Sequence, residues 1–218
     1  YQDLIDHYLV DEINQLYATL QRSETFEELK QNLPEIPVLS ALNTKYIVIY
    51  GDFMPVVNPN AFGTAWFVDE VVPAATPDEE IAFLGSVDLR RQAVVGKDMP
   101  SVTAAPADTT DTIEMTSYAP NELHYHYTAS TDRLAVFSEI YYPNGWKAKV
   151  DGAPVDIFRA DWTLRAAQLP AGEHDLVMRF DPDSYRIGAN VSRASSITLI
   201  VLLLLAVAGL FLPARKKE

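Results

Sequence analysis

The chain has 218 residues, 48% hydrophobic and 22% charged, a globular balance that excludes disorder and allows one large domain or two small ones. Its formal charge is −13, and because Arg215, Lys216 and Lys217 outweigh Glu218 at the very end, the rest of the chain is more acidic still. Such a surface repels phosphate backbones and excludes nucleic acid as a partner. With no cysteine, disulfides and thiolate zinc sites are excluded as well, and the compartment stays open.

From Leu4 to Leu20 the apolar residues recur at helical spacing and predict an amphipathic helix. A second short helix follows. Thr25 and Glu28 fit a capping box, and Pro34 ends the run, so residues 1–35 read as a helical segment. Lys45–Tyr50 reads as a buried strand, Gly51–Phe62 as a loop, and Ala65–Val72 as another strand. Pro77–Leu84 opens with proline and acids in its first turn, as a helix start does, and Ala93–Val95 is a short strand. Residues 36–97 are thus expected to form a small α/β domain.

Residues 98–111, rich in Pro, Ala, Thr and Asp, are the expected linker. Residues 112–190 read as a β-sandwich. Seven strands are expected at Ile113–Tyr118, Glu122–Ala129, Leu134–Tyr142, Trp146–Val150, Val155–Arg159, Leu164–Leu169 and Glu173–Phe180. Asp151-Gly152 suits a tight hairpin, since both tolerate positive φ.

Ile197–Leu212 is sixteen residues without a charge, about 24 Å of helix, and residues 195–213 are expected to cross a membrane. Counted singly, the flanking arginines and lysines nearly tie. The tight cluster at the end favours a cytoplasmic tail over 214–218, with residues 1–194 outside. The rival is a tail-anchored cytoplasmic protein. Outside placement calls for upstream targeting or transmembrane sequence, which the opening YQDLIDHYLV does not supply. The sandwich is expected close to the lipid surface. The fold class is therefore α+β: N-terminal helices with a small α/β layer, an all-β sandwich, and one C-terminal transmembrane helix.

Three stretches resemble the YfhO family of bacterial membrane proteins: LNTKYIVI (Leu42–Ile49), NPNAFGTAWFV (Asn58–Val68), and the block from Ser138 to Gly188 that runs into the terminal apolar helix. The opening YQDLIDHYL is similar to the start of that family's late soluble segment. The resemblance implies many transmembrane helices upstream and a likeness to multi-pass glycosyltransferases that use lipid-linked sugars on cell-envelope polymers. In such enzymes the catalytic acid lies in an early extracytoplasmic loop outside these residues, so no catalytic residue carries over.

Within the chain, Tyr141, Tyr142, Trp146 and Trp162 cluster in sequence with Asp161 and Arg165. Aromatic faces beside a carboxylate and a guanidinium suit sugar recognition. The alternative is that the rings fill the core while Asp161 and Arg165 pair to hold a turn. Trp66 and Phe67 read as core. His124 and His126 share one face of a strand and need a third ligand to hold a metal, and otherwise they mark a half-exposed face. Neither His7 nor His174 has an evident partner. The adjacent acids Asp69-Glu70 and Asp78-Glu79-Glu80 read as solvated faces, and no hydrolase or nucleotide motif is present.

The expected function is a non-catalytic extracytoplasmic accessory module of a glycosyltransferase-like membrane protein in the bacterial inner membrane. Its expected partners are the bilayer, the upstream transmembrane domain, and a glycan or lipid-linked sugar, with no cofactor and no metal. The alternative is a non-enzymatic, membrane-anchored envelope protein whose sandwich serves binding or adhesion.

Overall fold

A computed structural model describes residues 1–48, 55–100, 102–106 and 108–210, with Gly209 and Leu210 described by backbone alone. The N-terminal helix is continuous through α1 (Gln2–Leu4), a π-helical stretch (Ile5–Leu9) and α2 (Val10–Arg22). A π-turn brings residues five apart onto one line, so Leu4 and Leu9 are both buried. Beyond it the apolar stripe is only partly covered. Ile13 and Tyr17 stay exposed beside an open apolar cleft of about 630 Å³ between α2, α3 (Phe26–Gln31) and the β1–β2 hairpin (Tyr46–Ile47, Val56–Val57).

The expected capping box forms. Thr25 Oγ1 accepts the Glu28 N–H, and Glu28 reaches back to the N–H of Glu24. A second box, unforeseen from the sequence, opens α5 (Pro77–Phe83) through Thr76 and Glu79.

Helix α4 (Pro37–Ala41) lacks a cap of its own and borrows one. Glu12 of α2, 5% exposed, accepts the N–H groups of Val38 and Leu39, both at 2.8 Å. Burial pushes its carboxyl above the usual range, and the two N–H bonds pull it back. Glu12→Ala leaves two buried donors unpaired and is expected to lower the unfolding free energy by about 2 kcal/mol in urea titrations. A loss below about 0.5 kcal/mol would mean that water serves those donors equally well.

Two antiparallel sheets form the sandwich. The first has the order β10-β9-β13-β7-β6 (Ala153–Val155, Trp146–Val150, Gly172–Phe180, Glu122–Ala129, Thr112–Ala119). The second is β11-β12-β8-β3 (Phe158–Ala160, Leu164–Leu169, Arg133–Ile140, Ala65–Phe67). Between them lies a core of alternate side chains, Leu123, Tyr125 and Tyr127 from β7 against Ala135, Phe137, Ala167 and Leu169. The β9–β10 turn places Asp151 and Gly152 at φ 48° and 87°, as a two-residue hairpin requires.

The second sheet is buried on both faces. Leu134, Val136, Leu164 and Ala166 point away from the sandwich into another core, shared with Leu4, Leu9, Val38, Trp66, Leu84 and Val94. A strand covered on both sides loses its polar alternation, which is why Arg133–Phe137 is buried without a break.

Residues of 36–97 contribute to that shared core. The expected strand Ala65–Val72 is two strands. Ala65–Phe67 pairs with β8 inside the sandwich, and β4 (Glu70–Ala74) pairs in parallel with β5 (Gln92–Gly96) across α5. A two-stranded unit with one helix cannot bury an apolar face alone, so it packs on the second sheet.

Where it is described, the expected linker 98–111 packs as a strap along the fold. Met99, Val102 and Ala104 lie against the core, Thr103 N–H donates to Gln168, and the Pro106 carbonyl accepts from Arg133. The expected strand Val155–Arg159 breaks at Asp156-Ile157, where the chain crosses from the first sheet to the second. Ile49 and Tyr50 of the expected first strand lie outside the described residues.

The last strand passes through Asp181-Pro182 into α6 (Asp183–Leu210). Among the described residues, Asp183–Ala208 is the one helix long and apolar enough to cross a membrane. It begins well before the apolar run. Asp183 to Ser196 is about 21 Å of helix with nearly every side chain exposed, including Arg186 and Arg193. These first turns of α6 join the sandwich to the apolar segment. Residues 211–213 of the expected span and the tail 214–218 lie outside the described residues.

Candidate functional site

The six residues expected at a glycan surface divide between opposite faces of the second sheet. Along β12, Ala167 and Leu169 face the sandwich interior with Arg165, while Leu164 and Ala166 face the helices. Asp161 and Trp162, just before β12, belong to the helix-facing side. Asp161 and Arg165 form no ion pair with each other in the structure.

The first group, Tyr141, Tyr142, Trp146 and Arg165, sits at the end of the sandwich from which α6 departs. Trp146 pairs in register with Phe180, three residues before the helix, and the Asp181 N–H donates to the Gly145 carbonyl. Gly145 is required there. It has φ 109°, and a Cβ would lie 2.8 Å from the Phe180 ring.

Arg165 is 3% exposed, with its guanidinium carbon 3.8 Å from the Trp146 ring centroid. Its Nε donates to the Ile140 carbonyl at 3.1 Å, and Nη2 lies 3.7 Å from Glu139. Arg165 Nη1 and the Tyr125 hydroxyl are buried with no hydrogen-bond partner in the structure. Burial holds the Arg165 pKa below its usual value, against the opposing pull of Glu139, and raises that of Glu139. One face of Trp146 is thus taken by a guanidinium, and Phe180 lies 5.5 Å away. Tyr142, 53% exposed, is the ring this end offers to solvent, while Tyr141 is half-buried.

The second group is a clamp. In the three-residue turn between β11 and β12, Asp161 and Trp162 stand at φ 49° and 67°, a left-handed conformation that a bulky Trp rarely adopts. Asp161 behaves like a further strand residue. Its N–H donates to the Val94 carbonyl at 2.8 Å, and its Oδ1 accepts the Val94 N–H at 2.7 Å. The β4–β5 pair is thereby fastened to the edge of the second sheet. Buried Glu80 of α5 bonds Arg159 at 2.8 Å, and Arg159 lies 5.3 Å over Trp162. Burial pushes the Asp161 carboxyl up to about 7, the Val94 N–H opposes that, and the nearby Glu80 adds to it.

The histidines all have partners. On the outer face of the first sheet His124 meets Glu122 at 2.9 Å, while His126 meets Asp175 at 2.9 Å and Glu173 at 3.4 Å. His174 contacts Asp151, and His7 the Asp3 carbonyl. Among the described residues no three His, Asp or Glu side chains converge as a cation site. Trp66 is buried, its indole N–H donating to the Leu89 carbonyl, and Phe67 packs edge-on to Tyr127. The buried charges Glu12, Glu80 and Arg133 escape sequence reading, because their partners lie 22 or more residues away and no local pattern announces them.

The family described as bacterial membrane protein YfhO matches residues 83–192, half of the chain. The matched stretch runs from the end of α5 through the clamp and the later sandwich strands into the first turns of α6. No curated protein and no solved structure matches the chain. A stretch that carries both groups of residues and the entry to the membrane helix is shared with one family, and the chain belongs to the YfhO family of bacterial membrane proteins.

Proposed function

We propose that this chain is a non-catalytic, extracytoplasmic accessory module of a glycosyltransferase-like protein of the inner membrane that modifies cell-envelope glycans. In this reading residues 1–194 lie outside and the basic tail inside. The observation that supports it is the placing of exposed Tyr142 beside Trp146, which is backed by buried Arg165, at the end of the sandwich nearest the membrane helix. An exposed aromatic ring is what the C–H face of a sugar engages. Joined to the bilayer through α6, that end meets an acceptor glycan as it approaches the membrane.

The test is a transfer assay on the intact parent protein. Replacing Tyr142 and Trp146 together by alanine should weaken acceptor use by about tenfold or more while donor consumption persists. Full transfer after removal of residues 1–182 would defeat the reading and leave the sandwich a binding or adhesion body.

A further inference from the structure

A roomy cleft lies away from both groups, between the start of α4, the loop 58–62 and the loop 85–90. Its cavity volume is about 520 Å³, within the range of ligand sites, and it is open to solvent on one side. Its lining mixes Glu35, Pro37, Phe62, Val87, Asp88 and Arg90.

The walls are fixed by bonds that leave the rim side chains free. Glu12 caps α4 from behind. On the second wall Tyr8 donates to the Ile81 carbonyl at 2.7 Å and accepts the Gly85 N–H at 3.1 Å. A Cβ on Gly85 would lie 3.0 Å from that ring, so any larger residue would push Tyr8 aside by a few tenths of an ångström. Asn58 accepts the Asn60 N–H and donates to Ser40 and Thr44, joining the third wall to α4. Arg90 Nη2 donates to the carbonyls of Asn60 and Ala61, with its guanidinium 4.4 Å over Phe62. After these bonds, Arg90 Nε and Nη1 and the whole Glu35 carboxylate have no partner among the described residues.

We propose that this cleft binds an uncharged sugar unit of a glycan, a reading that deepens the accessory-module function and takes the glycan from it. The lining offers donors from Arg90 and acceptors from Glu35 and Asp88, and Pro37 and Val87 supply the apolar surface that the C–H face of a pyranose covers. Glu35 and Asp88 outnumber Arg90, so the cleft repels phosphate and acidic sugars. The walls are ordered before binding, so little entropy is lost on closing around the ligand. Loops carried on a rigid scaffold are where binding residues concentrate.

The test uses the whole chain in nanodiscs, titrated with chitotetraose and maltotetraose as neutral probes, and with tetragalacturonate and inorganic phosphate as anions. One neutral probe should bind with a dissociation constant below about 10 mM. Glu35→Ala and Arg90→Met should each weaken it by about tenfold, and Val87→Trp, which fills the cleft, should abolish it. The Glu35 side chain has no hydrogen bond or ion pair among the described residues, so its variant should keep the wild-type Tm. If Arg90→Met fails to fold, the other two variants decide the matter. The proposal is overturned by no neutral-sugar binding, by equal binding in the folded variants, or by anions binding as well as the neutral probes. The two readings fail separately. Sugar binding with transfer indifferent to the module defeats the accessory function alone, whereas module-dependent transfer without sugar binding defeats this site alone.

Discussion

Arg133→Met is expected to remove about 3–5 kcal/mol of unfolding free energy, the range for stranding the partner of a buried ion pair. Arg133 is wholly buried at the first position of β8. Its Nη1 donates to the Pro106 carbonyl and the Asp111 carboxylate, and its Nη2 to the Val68 carbonyl at 3.2 Å, with Asp69 at 3.5 Å. One side chain therefore ties the strap and the end of β3 to the central strand. Methionine fills much of the volume but leaves Asp111, whose side chain is 1% exposed, without its counter-charge. Arg133→Lys, a single ammonium in place of a fork, cannot serve acceptors on both sides and should lose roughly half as much. Replacing Asp111 by leucine together with Arg133→Met should restore most of the stability, because no charge is then left unpaired. Urea titrations followed by tryptophan fluorescence measure all three variants. A loss under about 1 kcal/mol for Arg133→Met would show that water reaches Asp111 and that the strap does not depend on this side chain.

Arg133 also marks where the sequence stopped being informative. On β7, Leu123, Tyr125, Tyr127 and Ala129 alternate with polar residues, one face is wet, and the strand is readable at sight. The Asp151-Gly152 turn and the Thr25 cap are readable for the same reason, since their signals are local. Strand β3 is different. Nothing in AWF says whether it pairs with β8, some seventy residues ahead, or with its neighbour β4. The strap looks like a linker because its few apolar anchors, Met99, Val102 and Ala104, are irregularly spaced, and its other anchors are backbone groups and one acid.

The candidate site shows the same limit. Tyr142, Trp146 and Arg165 were legible as a cluster, since the hairpin geometry of β8, β9 and β12 keeps them at one end. Asp161 looked like their companion because it is close in sequence. The turn after β11 and the alternation of β12 send it to the opposite face. The cleft beside Arg90 gave no signal at all, because its three walls come from segments separated by about twenty-five residues each.

Asp161→Asn is expected to stabilise the protein at pH 8 by roughly 3–4 kcal/mol and to flatten its pH dependence. The wild-type carboxyl titrates near 7 in the fold, against an ordinary value of 3.8, so the folded state binds the proton more tightly than the unfolded chain. The stability it contributes is complete below about pH 4, declines as the pH rises, and is lost above about 7. There a charged carboxylate sits buried with Glu80 nearby and Oδ2 unbonded. Asparagine keeps the Oδ1 acceptor for the Val94 N–H and tolerates φ 49°, and its amide replaces the orphan oxygen with a donor facing Glu80. Alanine keeps neither the acceptor nor the tolerance, so Asp161→Ala should destabilise by about 2 kcal/mol at pH 5, and the loss should shrink or reverse at pH 8, where alanine also removes the buried charge. Urea midpoints at pH 5 and pH 8 separate the cases: wild type should weaken markedly between them and the asparagine variant should not. Equal slopes in the two proteins would mean that Asp161 is ionised and solvated at neutral pH, and that the β4–β5 pair is held to the sheet by the backbone bond to Val94 alone.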